Sequence, residues 1–461
     1  YRIIFVIFCT PLWISGNFLP FGKYRHRQFL AFVAIFPGIR QDLPLCKTGA
    51  ESNANDVAGK LGTEMTGPLD GYKVIDLTTM IAGPFATMLL ADQGADVVKV
   101  ETPGRGDHVR ATANQQGGFS ASFLNNNRNK RSITLDLKRP EGQKILHRLA
   151  AEADVLVQNF RPGVVERLGI GEADIRPLAP NLIYVSMSGF GAVGPYAHKP
   201  VYDPIIQAVS GLASVQGGGD NLRPRLVRTV VPDKVTALTA SQAITAALLV
   251  RERTGKGQHV TLNMLDAMMQ FLWSTDMGGQ TFVDHPFPQH RVSAFNDLIY
   301  ATADGHMAVS VMTDAQWAGL TRALEKPEWR DDPRFNSPAQ RDRNFDERVD
   351  ITQKILETNT NAYWLERIDA EGVACAPVMT RSELIDHPQV LANEVVEQNE
   401  HPIAGPVRQA RHAAQFAATP ASIRTAAPGL GENTDEILAE IGLSGDEIRE
   451  LRSAGIAGEA S

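Results

Sequence analysis

Two aspartates stand where short loops run into helical patterns, and they are the residues of this chain best placed to do chemistry. Asp203 ends Pro200-Val201-Tyr202-Asp203, and Asp233 ends Val230-Val231-Pro232-Asp233 ahead of a long Ala-rich stretch. A carboxylate can act as a covalent nucleophile, turning one hard exchange into several easier ones. It can also do no more than cap the helix, since Asp is a favoured N-cap residue. Read locally, capping is the favoured role for Asp233, and for Asp203 a turn before a helix is as good a reading as a functional one. The two roles are compatible. A helix N-terminus keeps a carboxylate ionised, and its backbone N–H groups can steady an oxyanion.

Other chemistry finds little support. Cys9, Cys46 and Cys375 are widely spaced and make neither a zinc pattern nor a disulfide framework. That usage fits a reducing compartment and leads us to expect a cytoplasmic protein. His285 and His290 are a close pair in a Pro-rich loop without a third ligand, so no metal site is expected. The run Gly217-Gly218-Gly219 neither follows a strand nor precedes a Lys-Ser/Thr pair, which makes it a turn and not a phosphate loop. A net charge of -7 argues against a nucleic-acid partner. It leaves room for a small anion held by a few Arg and Lys.

The elements that must position these aspartates alternate along the chain. Strand patterns cover Tyr72–Leu77, Ala95–Glu101, Ile133–Leu137, Asp154–Gln158 and Leu182–Met187. Helical patterns cover Phe85–Gln93, Pro140–Ala153, about Lys234–Arg253 and about Leu262–Thr275. Such alternation predicts an α/β fold with a parallel sheet, whose ligands sit in loops at the strand carboxyl ends. Those loops are Gly83-Pro84, Gly104–Asp107, Asn159–Gly163 and Ser188–Pro195. Further on, strands around Asp304-Gly305 and helices at about Asp314–Leu324, Phe345–Thr358 and Thr360–Glu371 form a smaller α+β unit. Short strands and a final helix pair follow Pro388.

The N-terminal region reads differently. Residues 1–20 and Phe29–Ile39 are apolar, but Pro11 and Gly16 break the first run, and no basic start or small-residue cleavage site accompanies it. We therefore expect neither a membrane anchor nor a signal peptide. The expectation is that 1–65 is a non-native or disordered extension, with Met65 as the initiator. The remaining boundaries expected are a large domain over 66–275, a linker over 276–293, a small domain over 294–387, and a return to the large domain over 388–461.

Several sequence blocks, in order, resemble the family III CoA-transferases of the CaiB/BaiF type. This group includes formyl-CoA and carnitine CoA-transferases and, as relatives, the α-methylacyl-CoA racemases. The blocks are Pro68-Leu69-Asp70-Gly71-Tyr72-Lys73-Val74-Ile75-Asp76-Leu77, Ala82-Gly83-Pro84, Gly94–Glu101 and Asn129–Ile133. They continue with Gln158-Asn159-Phe160-Arg161-Pro162-Gly163, then Arg167-Leu168-Gly169, Tyr202-Asp203 before Gln207-Ala208, and Arg251 to Gln258. Any one alone is weak.

The resemblance implies that Asp233 is the nucleophile of a transfer of coenzyme A from an acyl-CoA to a free carboxylic acid. The route runs through a mixed anhydride and an aspartyl-CoA thioester. Asp203 matches a Glu near the active site of the formyl-CoA enzyme, and Ile81 stands where that enzyme has a Gln, which points to a larger acyl group. The racemases carry a His where this chain has Tyr202. A tyrosine titrates far from neutral pH and is a poor partner for exchange of an α-proton, so Tyr202 favours transfer over the racemase alternative. Asn159, Phe160, Val164, Arg167, Leu135 and Lys138 match positions lining the CoA site. A cation of the formyl-CoA enzyme falls near Thr102, for which Arg105 is the substitute in reach. No permanently bound cofactor is implied, since coenzyme A enters as substrate. The fold implied is a Rossmann-like large domain with a smaller α+β domain, in a homodimer of two chains threaded as interlocked rings. The partners are thus a second copy and small-molecule substrates, with no nucleic acid and no membrane.

Overall fold

The computed structural model describes residues 65–284 and 298–458. The expectations for residues 1–64, for His285 and His290, and for the second half of the linker (285–293) lie outside the described residues. Six strands form one sheet: β1 (Lys73–Asp76), β2 (Asp96–Glu101), β3 (Lys130–Thr134), β4 (Val155–Gln158), β5 (Ile183–Ser188) and β6 (His259–Asn263). All pairings are parallel, in the order β3-β2-β1-β4-β5-β6. The mixed α/β fold read from the sequence is therefore the one observed.

The strands are short and rich in Val and Ile because both faces are covered. Their period of two sorts the side chains. Ile75, Val98, Ile133 and Leu156 enter one core, under helix α2 (Pro140–Ala151) and the late helices α9 (Thr434–Glu440) and α10 (Gly445–Ser453). Val74, Val97, Val155 and Val185 enter the other, under α1 (Ala82–Asp92) and α4 (Val231–Thr254). Helix α3 (Asp203–Val209) and helix α5 (Met264–Trp273) pack beside α4 with a small cluster of their own that includes Ile206 and Met268.

Two expected elements are corrected. The strand read over Ile133–Leu137 runs over Lys130–Thr134, and the helix read over Leu262–Thr275 begins only at Met264, with β6 before it. Gly255, with φ 68, ends α4, and the run His-Val-Thr-Leu-Asn then pairs along β5. Asn263 closes the strand and caps α5, its side chain accepting the Asp266 amide.

A second sheet is antiparallel, with strands β7 (Ile299–Ala301), β8 (His306–Ser310) and β9 (Ala374–Pro377) in the order β9-β8-β7. Helices α6 (Asp314–Ala323), α7 (Phe345–Leu356) and α8 (Asn361–Ala370) cover a separate core around Trp317, Phe335 and Trp364. The late strands are a hairpin, β10 (Val396–His401) with β11 (Gly405–Ala410).

The large sheet carries charge inside it. Asp76, Lys99 and Lys130 sit on β1, β2 and β3 and are buried, as are Glu101 and Asp107. Lys130 Nζ donates to Asp76 Oδ2 at 2.9 Å, to Pro84 O at 2.9 Å and to Asn127 Oδ1 at 2.9 Å. Lys99 Nζ donates to Thr78 O at 2.8 Å and pairs with Asp107 Oδ2 at 3.0 Å. Burial opposes the Asp76 charge, but Lys130 and Lys99 outweigh it and hold the carboxyl well below its usual range. Burial pushes Lys130 down to about 8 although Asp76 pulls it up.

Breaking a buried pair strands the surviving charge, which costs about 3–5 kcal/mol. Lys130→Met should therefore lower the unfolding free energy by that amount in a guanidinium titration. A midpoint equal to wild type would show that the pair is not needed.

Candidate active site

The strand order places the site. From β1 the chain builds outward to β2 and β3, then crosses back to add β4 on the other side. The loops after β1 and β4 therefore part company, and in such sheets ligands bind in the crevice they leave. A cleft of about 340 Å³ opens there, lined by Ile81 and Ala82 after β1, Asn159 and Phe160 after β4, and Phe190 after β5. That is within the usual size of a small-molecule site. Its far wall is Tyr202 and Asp203 at the start of α3, with Asp233 and Thr236 at the start of α4.

The β1–α1 loop is held rigidly. Asn159 clamps it through both side-chain atoms: Thr79 N donates to Oδ1 at 3.0 Å and Nδ2 donates to Thr79 O at 2.8 Å. Met80 is left-handed at φ 72, a conformation costly for a residue with a β-carbon. Its amide donates to the buried Asp107 carboxylate at 3.1 Å. Gly83 must be glycine, because a β-carbon there would meet the Thr78 side chain at 2.3 Å. The buried charges thus fix Thr78, Met80 and Pro84, and with them the first turn of α1.

Asp233 is the third residue of α4, with Val230 at the N-cap and no side-chain cap. The capping role favoured locally is not the one its side chain plays. Its amide donates to Asp203 Oδ2 at 3.2 Å, while Asp203 Oδ1 accepts Gln207 Nε2 at 2.6 Å. Burial, and after it the neighbouring Asp203 charge, push the Asp233 carboxyl up to about 6, against the pull of the Ala82 backbone amide. The helix N-terminus therefore does not hold this carboxylate as firmly ionised as its position in the sequence implies. A partly desolvated carboxylate of raised pKa is more basic than one in water, and it remains mostly charged at neutral pH.

The cleft brings together Asp233, Asp203, Tyr202, Ile81, Asn159 and Phe160. Tyr202 is 64% exposed, so its ring stands in the mouth of the cleft and not against its floor. The other predicted residues lie outside the lining. Arg105 is exposed and its Nη2 contacts His108 Nδ1 at 3.0 Å, and it is His108 that faces the cleft. Leu135 is buried in the core, and Lys138 is exposed with its amide donating to Asp136 Oδ1 at 3.0 Å. Val164 and Arg167 form the helical turn that follows Gly163, with Arg167 exposed.

Sequence reasoning missed three basic groups of the lining, His108, Arg161 and Lys199. Arg161 lies inside the Asn-Phe-Arg-Pro-Gly block and His108 just after the Gly104–Asp107 loop, which were the available signals. Lys199, its Nζ 3.3 Å from the Tyr196 ring centroid, had none. Among the described residues no group of three or more His, Cys, Asp or Glu could hold a metal ion. No described helix is long and apolar enough to cross a membrane.

Comparison with known proteins gives a consistent picture. The model of CoA-transferase family III matches residues 69–434. The chain is 35% identical over 397 residues to human succinyl-CoA:glutarate CoA-transferase, covering 84% of this chain and 90% of the relative. It is 31% identical over 417 residues to formyl-CoA:oxalate CoA-transferase of Escherichia coli, covering 84% and 99%. The crystal structure of a CAIB/BAIF family protein from Brucella suis superposes with a TM-score of 0.71 at 29% identity, covering 82% of this chain and all of the other.

The carboxylate pair can be tested without any substrate. The Asp233 carboxyl carbon, followed by NMR, should titrate at about pH 6. Asp203→Asn removes the like charge and should lower that midpoint only part of the way towards the free carboxyl value, because burial, the larger cause, remains. An unchanged midpoint would mean that Asp203 does not act on Asp233.

Proposed function

The chain belongs to CoA-transferase family III and is a CoA-transferase, and from that premise we propose that it moves coenzyme A from an acyl-CoA to a free carboxylic acid through covalent intermediates on Asp233. The observation that carries this reading is the Asp233 carboxylate, part-buried in the cleft wall where the first turns of α1 and α4 converge.

An oxygen of Asp233 attacks the thioester carbonyl, the C–S bond breaks, and a mixed anhydride forms as CoA thiolate leaves. The thiolate attacks the Asp233 carboxyl carbon, the anhydride C–O bond breaks, and the donor acid departs, leaving an aspartyl-CoA thioester. The acceptor carboxylate then attacks that carbon, expelling the thiolate and forming a second anhydride. Attack of the thiolate on the acceptor's acyl carbon gives the new acyl-CoA and frees Asp233. No proton is gained or lost overall, so no general acid or base is required. The oxyanions along this path are what oriented amides at two helix starts stabilise.

His108, Arg161 and Lys199 suit anionic substrates, the phosphates of coenzyme A and the carboxylates exchanged. Ile81 supplies an apolar wall for a larger acyl group. The relatives' acceptors named above, glutarate and oxalate, are dicarboxylates, and such acids are the first acceptors to try. We further propose that the working form is a homodimer of interlocked chains. Exposed apolar side chains on α4 (Leu238, Leu249, Val250) and α5 (Phe271, Trp273) support a protein partner for these faces.

Three outcomes follow. Asp233→Ala should lower transfer by at least about 10³-fold, measured with acyl-CoA donors against carboxylate acceptors. The wild-type kcat/KM should fall below a midpoint of about 6, because the protonated carboxyl cannot attack. A racemase would instead take up solvent deuterium at the α-carbon with no acceptor present, and none is expected.

A further inference from the structure

The approach to α4 is held by a buried amide that the covalent chemistry does not itself use. Gln207 is 2% exposed and sits one turn after Asp203 on α3. Its Nε2 donates to Asp203 Oδ1 at 2.6 Å and to the carbonyls of Val227 and Thr229 at 3.3 Å each. Its Oε1 accepts the Val227 amide at 2.9 Å. One side chain thus ties α3 to the segment that leads into α4. Asp203 carries the connection onward, because its other oxygen accepts the Asp233 amide at 3.2 Å. With no side-chain cap from Val230, this carboxylate from a neighbouring helix does for α4 what a capping residue would do.

We propose that Gln207 is a positioning residue: by holding Asp203 and the Val227–Thr229 segment in one frame, it sets the orientation of the Asp233 carboxylate for attack. The proposal rests on Asp233 being the nucleophile. Glutamine suits the place chemically. Three acceptors face its amide nitrogen and one donor faces its oxygen, an arrangement that only an amide satisfies. A carboxylate there would confront the Asp203 oxygen and two carbonyls. The charged and titratable groups around this frame are Asp203, Asp233 and the exposed Arg228 of the tied segment, with His108, Arg161, Lys199 and Tyr202 on the cleft. Lys234 stands on its outer side and donates to Thr229 Oγ1 at 2.8 Å.

Gln207→Glu keeps the shape and converts the role into a pH signature. At acid pH the introduced carboxyl shares a proton with Asp203 and the frame holds. As the pH rises that proton leaves, and two carboxylates at hydrogen-bond distance push apart. Relative to wild type at the same pH, kcat should be within about threefold near pH 6 and about 10- to 100-fold lower at pH 8, with KM for the acyl-CoA within about twofold. Gln207→Leu should lower kcat by about 10- to 100-fold at every pH, because it supplies neither donor nor acceptor. Hydroxylamine trapping in the variants should still place the adduct on Asp233. A Gln207→Glu profile shaped like wild type, or a loss confined to KM, overturns the positioning role and leaves the nucleophile standing. An adduct on another residue in wild type and variants alike overturns both.

Discussion

The pairing of Lys130 with Asp76 inside the sheet is the constraint on which the site depends. A charge buried between strands is tolerated only when it is paired and its hydrogen bonds are satisfied. Lys130 meets Asp76, Pro84 O and Asn127 Oδ1, while Asp76 also accepts from Thr78 and Thr87. Lys99 and Asp107 extend the same pattern to Thr78 O and the Met80 amide. Each partner but Asn127, Lys99 and Asp107 lies between the end of β1 and the second turn of α1. The charges therefore do more than compensate one another. They hold a loop that includes a left-handed methionine and a glycine in contact with a threonine side chain.

That rigidity bears on the chemistry because Ala82, the first residue of α1, turns its amide towards Asp233. The carboxylate itself comes from α4, on the other side of the cleft, held through Asp203 and Gln207. Two separately braced helix starts thus meet at one functional group. Burial and Asp203 make that group more basic, and the Ala82 amide tempers the effect. The balance suits a nucleophile that must be charged to attack and must also leave readily as a carboxylate.

Much of this was legible in the sequence, for physical reasons. The strands with residues such as Val74, Ile75, Val97 and Val98 announce themselves because parallel strands are covered on both faces. The loops at their carboxyl ends follow from the alternation of strand and helix, and Asn159, Phe160 and Ile81 were found there. Strand β6 was not, because its Leu-Asn end merges with the apolar pattern of α5. The buried charges were visible only as parts of family blocks. Lys130 and Asp76 are 54 residues apart, and nothing local records that they meet. The same holds for Lys199 and for the hydrogen bonds of Gln207, which depend on how α3 packs against the segment before α4. Leu135 and Lys138, matched by resemblance, stand outside the cleft lining.

The central claim is that coenzyme A passes through a thioester on Asp233. It is tested most directly by incubating the enzyme with an acyl-CoA donor, trapping with borohydride or hydroxylamine, and sequencing the modified peptide by mass spectrometry. One modified residue, Asp233, is expected, formed before any acceptor acid is added and lost when acceptor precedes the trap. Modification of a different residue, or full turnover with Asp233 never modified, would contradict it.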